Sequence, residues 1–242
     1  MVTVALKGIT IMAKALTQSE VHYILAAWFS PSYPVGAFSY SHGLEYAIEH
    51  QLVTDKNSAQ NYIETCLQFG AGQLDGQFLA AIYKAGLKED WQQIVEIAEL
   101  ASVFVGTKEL MLESHAQGAA FIKITRECWP SLLLNNFIEK YKGPYAYAVA
   151  VGVAAAGLKL PLETVLTAYL HGFCANIISA ATRIVPLGQT DGQRITAAIT
   201  KPVEKTVNQV LSLEEFHFSS ATLMVDWCSM KHEEQYTRLF RS

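Results

Sequence analysis

Charge is scarce in this chain. Asp, Glu, Lys and Arg make up 17% of it, against about 25% in an ordinary soluble protein. The 18 basic and 22 acidic side chains leave a formal net charge of −4, so there is no basic footprint for a phosphate backbone or an anionic bilayer, and nucleic-acid binding is excluded as the main activity. Cysteine is equally sparse: Cys66, Cys128, Cys174 and Cys228 lie far apart and form no C-x-x-C pair. That excludes a disulfide framework and predicts buried, reduced thiols in a cytoplasmic protein. H-E-x-x-H and Cys/His quartets are missing. Cys228 with His232, and His42 with Glu45, have helical spacing but give two ligands each, so no metal or cofactor is expected. Residues 161–185 are the most apolar long stretch, yet Glu163, His171, Asn176 and Arg183 interrupt it, and a membrane span is not expected. The opening "MVTVALKGITIMAKAL" is too short and too polar for a signal-peptide core; residues 1–14 are expected to be a flexible extension, with Met12 as an alternative start.

Nucleotide-binding glycine patterns are missing too. Gly36 and Gly43 are separated by six residues and Leu44 follows where a P-loop needs lysine, and none of the 15 glycines forms a G-x-G-x-x-G. Nucleophilic catalysis would need a serine or cysteine beside an oriented base. Ser39, Ser41 and His42 are close in sequence, but Ser39 is read as a helix cap, and no catalytic residue is assigned.

What remains is helical and apolar. Hydrophobic residues are 51% of the chain, and they recur at three- and four-residue steps, most clearly from Leu162 to Ile184. Pro161 and Pro186 bracket that helix. "GPYAYAVAVGVAAAG" (143–157) is apolar all round and is expected to be the central helix, begun by Pro144 and capped by Gly157, with Ala148, Gly152 and Ala156 admitting a close neighbour. "TDGQ" has capping-box spacing at Thr190, and Pro202 is expected to kink the helix that follows. Further helices are expected at 18–29, 41–52, 56–70, 73–86, 89–105, 108–125 and 131–141, with a strand conceivable at "AFIKI" (120–124) or in "MVTVAL". The fold expected is all-α: a single bundle of about ten helices over 15–228.

Two segments stand apart. "SPSYPVGAFSYSHGLE" (30–45) is nearly uncharged and rich in Pro, Gly and Tyr; a stiff turn presenting Tyr33, Phe38 and Tyr40, with His42 and Glu45 for orientation, has the composition of a protein interface. The end, "CSMKHEEQYTRLFRS", loses the apolar period. It reads as a tail over 229–242 that orders when Tyr236, Leu239 and Phe240 enter a groove while its arginines meet carboxylates. Asn176, Ser179 and Arg183 form a polar line that fits either a solvated edge or a hydrogen-bonding contact.

These two segments, with "KELMLESHAQG" (108–118) and "VPLGQTDGQR" (185–194), closely resemble the urease accessory proteins of the UreF family, in the same order from about Ala15 to Ser242. The resemblance implies an all-helical protein, often a homodimer, without enzymatic activity of its own. It implies an adaptor that joins a UreD/UreH-type protein and the GTPase UreG in the complex that installs nickel in apo-urease. Nickel and GTP would belong to those partners. The partner-binding residues it suggests are Tyr33, Pro34, Gly36, Phe38, Ser39, Tyr40, His42 and Glu45 in the opening motif, Glu113 and Gln117 in the middle, and Tyr236, Arg238, Leu239, Phe240 and Arg241 in the tail. The alternative is a GTPase-activating factor that inserts Arg238 or Arg241 into the UreG nucleotide site.

Overall fold

A computed structural model describes residues 16–242; the residues before them, with the extension and the "MVTVAL" segment, lie outside the described part. Among the described residues there are eleven α-helices, a short 3-10 turn and no strand. They are α1 (Gln18–Trp28), the 3-10 turn Ala37–Ser39, α2 (Leu44–Glu49), α3 (Lys56–Phe69), α4 (Ala71–Lys88) and α5 (Trp91–Val103), followed by α6 (Lys108–Cys128), α7 (Leu132–Lys140), α8 (Tyr147–Gly157), α9 (Leu162–Ile184), α10 (Gln189–Leu211) and α11 (Leu223–His232). The bundle is layered around α4. On one side α5, α6 and α7 surround α8; on the other α3, α9 and α10 pack together; α4 touches both groups.

α8 is central for the reason its composition gives. Every residue from Ala148 to Ala156 is buried, and a helix apolar on all faces is stable only inside a core. Gly152 admits α4: a Cβ there would fall 2.3 Å from Ile82 Cγ2 and 2.8 Å from the Leu79 carbonyl oxygen. Trp28, fully buried at the end of α1, meets Phe121 edge-on at 5.2 Å and Trp129 at 6.3 Å, which fixes α1 and the start of the opening motif against α6. α9 is long and apolar enough to cross a membrane by length and composition, but 61% of that stretch is buried against its own neighbours.

Several local expectations are corrected. "AFIKI" lies inside α6. α8 begins at Tyr147 with Ala146 as N-cap, so Pro144 precedes it without starting it. Gly157 is the last residue of α8 rather than its cap; a Cβ there would sit 2.2 Å from Ser131 Oγ, so close packing requires the glycine. Thr190 makes no capping box, because α10 has already begun at Gln189 with Gly188 as N-cap, and Asp191 pairs with Arg194 at 2.9 Å instead. Pro202 is tolerated within the continuous α10. Cys66, Cys174 and Cys228 are buried free thiols, whereas Cys128 is exposed at the end of α6.

Candidate partner-binding site

The opening motif folds into a chain of tight turns that its glycines make feasible. Gly36 has φ +77° and Gly43 φ +74°, both in the left-handed region that side chains disfavour. At Gly43 there is also no room, since a Cβ would lie 2.7 Å from the backbone nitrogen of Ser229 on α11. His42 shares the left-handed region at φ +56°. For a non-glycine that costs on the order of 1 kcal/mol and persists only where its surroundings fix it. They do: the Tyr62 hydroxyl donates to the His42 carbonyl at 2.7 Å, the ring meets Phe173 edge-on at 5.0 Å, and Nε2 lies 3.1 Å from Glu113 Oε1. Ser39 does not cap α2; the N-cap is Gly43, with no side-chain bond.

α6 supplies the other half. Glu109, Glu113 and Gln117 stand at four-residue steps, so they share one helix face, and all three are buried. The Gln117 amide donates to Glu113 Oε1 at 2.8 Å. After α11 the chain turns back and lies across this face. Glu45 receives the backbone N–H groups of Leu239 and Phe240 at 2.7 and 2.9 Å. The fully buried His232 bridges Glu45 at 3.2 Å and Glu109 at 2.7 Å. Arg238 donates to Glu109 Oε1 at 2.9 Å, and Ser242 Oγ donates to Glu113 Oε2 at 2.9 Å. Two main-chain bonds complete the seam, Arg241 N–H to the Ser39 carbonyl at 2.8 Å and Ser41 N–H to the Ser242 carbonyl at 2.7 Å, with Ser41 Oγ donating to that same Ser242 oxygen. Hydrogen bonds to charged groups stabilise by roughly 1.5–3 kcal/mol each, enough together to hold a tail whose apolar area alone is small.

Arg183, on the polar line of α9, closes the seam from above. Its guanidinium stacks 3.8 Å from the Phe38 ring centroid and 4.3 Å from that of Phe240, and donates to the Phe38 carbonyl at 2.9 Å. Such stacks contribute ~0.5–2 kcal/mol. Partial burial lowers the Arg183 pKa from its ordinary value.

The site residues expected from sequence therefore divide. His42, Glu45, Glu113, Gln117, Ser39, Arg238, Leu239, Phe240 and Arg241 are brought into one bonded cluster. Phe38, Pro34, Gly36, Tyr236, Arg238, Leu239 and Arg241 are exposed, while Tyr33, Tyr40, His42, Glu113, Gln117 and Phe240 are buried within this chain. Tyr33 serves the core: its hydroxyl bonds to Thr125 Oγ1 at 2.7 Å and its ring leans on Phe121. The tail is thus seated on its own chain, with Phe240 only 4% exposed. Glu109 and His232 were missed as members of this cluster; the four-residue spacing Glu109–Glu113–Gln117 was the available signal for the first, and nothing local marks the second. Of the two readings of the Asn176–Ser179–Arg183 line, Arg183 follows the hydrogen-bonding contact.

Beneath the opening motif lies a cavity of about 530 Å³, reached by Tyr33, His42, Asp75, Glu113, Tyr147 and Tyr169. Asp75 Oδ2 accepts from the Tyr169 hydroxyl at 2.6 Å. Burial raises the Asp75 pKa to about 6, more than the Tyr169 bond lowers it. At His42 burial pulls the pKa down, but the charge and hydrogen bond of Glu113 outweigh it and the net shift is upward. In both cases the folded state holds its proton longer than the unfolded chain. Stability from Asp75 is present at acid pH and lost as pH rises from 3.8 to about 6. That from His42 is full below 6.5 and fades as pH climbs through its raised value. Asp75→Asn, which keeps an acceptor for Tyr169, is expected to stabilise the protein at neutral pH by up to about 2 kcal/mol. It should also remove the loss of stability that Asp75 imposes as pH rises from 3.8 to about 6. Denaturant melts at pH 4, 5, 6 and 7 check this, and an unchanged pH profile would remove Asp75 as its source.

Among the described residues, no three His, Cys, Asp or Glu side chains are grouped to hold a metal ion. The fold and the cluster define an all-helical protein in which Glu109, Glu113 and His232, buried polar groups of α6 and α11, bind its own tail and opening motif. Sequence comparison supplies the family. The UreF family model matches residues 53–200. A urease accessory protein UreF of Rhodopseudomonas palustris (strain BisB5) is 45% identical over 225 residues, 93% of each chain. The protein of that name from Granulibacter bethesdensis is 42% identical over 220 residues, 91% of this chain and 93% of its own, and that of Bradyrhizobium diazoefficiens 42% over 228, 94% of each. The chain belongs to the UreF family, and is accordingly an accessory protein and not an enzyme.

Proposed function

We propose that this chain is a cytoplasmic, homodimeric adaptor of urease maturation, bridging a UreD/UreH-type protein and the GTPase UreG in the complex that delivers nickel to apo-urease. The observation that carries this reading is the tail seam: it joins the opening motif and the last residues into one surface, on which Phe38, Leu239 and Arg241 stay exposed. A rigid aromatic and arginine-bearing patch is the composition that protein interfaces favour. The alternative, an arginine finger, draws no support from Arg238, whose guanidinium is occupied by Glu109.

The test is capture of purified UreD/UreH-type and UreG-type proteins. Deleting 233–242 leaves α11 whole and should abolish capture of the UreD/UreH-type protein. Because deletion also uncovers Glu45 and Glu113, a milder pair, Tyr236→Ala and Leu239→Ala, guards against misfolding: both side chains are exposed, so melting should move little while capture weakens about tenfold or more. Undiminished capture by both the deletion and the double variant would discard the tail as a docking element.

A further inference from the structure

The cavity under the opening motif has a chemistry that tail binding does not use. Three carboxyl side chains reach it, Asp75, Glu113 and Asp226, and no lysine or arginine among the described residues does. Glu113 is matched by His42, Gln117 and Ser242, and Asp226 by Thr222. Asp75 is different. Its one hydrogen bond among the described residues comes from a neutral phenol, that of Tyr169, and the positive charge it feels, that of His42, is already paired with Glu113.

The walls around it are aromatic. Phe29 meets Tyr169 edge-on at 5.9 Å and Tyr147 leans on Tyr169 at 5.4 Å. Tyr147 is enclosed by protein, and burial raises its pKa well above the usual phenol range. It nonetheless keeps some accessible surface and lines the cavity, and among the described residues its hydroxyl has no hydrogen-bond partner. An unpartnered hydroxyl at a cavity wall is free to bond a ligand, and it lies near enough to Asp75 to feel its charge, in a chamber of the size that small ligands occupy.

We infer that this cavity is a binding site for a small organic monocation, an ammonium or amidinium on a flat apolar body, held by Asp75 and Tyr147 against the Phe29 and Tyr169 rings. The carboxylate supplies the opposite charge, the rings attract a cation over their faces, and the unpartnered hydroxyl accepts or donates the remaining hydrogen bond. The opening loop from Ser30 to Phe38 forms the rim, so an occupant would stiffen the segment that carries Phe38.

Benzamidine is a suitable probe, with benzamide as its neutral isostere, titrated calorimetrically into the full chain. Saturable binding is expected, weakened about tenfold or more for benzamide and for Asp75→Asn, and several-fold for Tyr147→Phe. Asp75→Asn is expected to fold at least as stably as the parent, so loss of binding there reports the charge. Equal affinity for benzamidine and benzamide, unchanged affinity in Asp75→Asn, or no saturable binding at millimolar probe would each overturn the proposal. Capture of protein partners is a separate readout, so failure here leaves the adaptor reading standing.

Discussion

Gly118→Ala is expected to destabilise the protein by about 3 kcal/mol or more, the upper range for forcing atoms into a filled core. The added Cβ would lie 1.9 Å from the Tyr145 carbonyl oxygen and 2.8 Å from its carbon, and these are backbone atoms that no rotamer change can move aside. Relief would require the Tyr145–Ala146 segment to back away from α6, which would displace the buried start of α8. For a chain of this size the loss corresponds to roughly 6–12 °C in melting temperature. Ala119→Gly, at the next and exposed position of α6, is the control and should cost only about 1 kcal/mol through helix propensity. A wild-type melt for Gly118→Ala would mean that α6 and the Tyr145 segment are not in register as described.

Glu45→Ala is expected to release the tail. It strands the backbone N–H groups of Leu239 and Phe240 and removes one of the two carboxylates that flank His232. Removing one partner from a buried charged arrangement typically costs about 3–5 kcal/mol. Much of that cost is local here, so the sensitive readout is proteolysis. Trypsin should cleave after Arg238 and Arg241 far faster in the variant than in the parent, with a smaller drop in global melting. Glu204→Ala, on the exposed face of α10, should change neither. Cleavage at the parental rate in Glu45→Ala would show that something other than this carboxylate secures the last residues.

The helices were legible where their apolar residues point inward. α9 and α3 begin and end within a residue or two of the periodic pattern, and Ala148, Gly152 and Ala156 do admit a neighbouring helix. α2 is shorter than the expected 41–52. His42 and Gly43 adopt left-handed conformations before it and Gln51 does so after it, which no apolar period records. α11 was illegible for a different reason. Leu223, Met224, Trp227 and Met230 are exposed, whereas the buried face is Val225, Cys228, Ser229 and His232, the inverse of the pattern that a hydrophobic stripe would reveal.

The tail cluster could be guessed only in part. Arginines that meet carboxylates were expected, but the carboxylates were expected on another protein. Glu45 and Glu109 lie 195 and 129 residues from the tail positions they bind, and pairing at such separations leaves no trace in a local window. Arg183 illustrates the same limit. Its neighbours in sequence leave a solvated edge and a hydrogen-bonding contact equally open, and only the fold places it between Phe38 and Phe240.

Ser41 and Ser242 are 201 positions apart, yet they meet in the seam. During synthesis the opening motif therefore emerges early and must wait, its Glu45 carboxylate and the Ser41 amide still hydrated, until residue 242 has left the ribosome. Closure of so long a loop is late in folding. A polypeptide still lacking residues 238–242 would lack the assembled patch, so this surface is among the last parts of the fold to be completed.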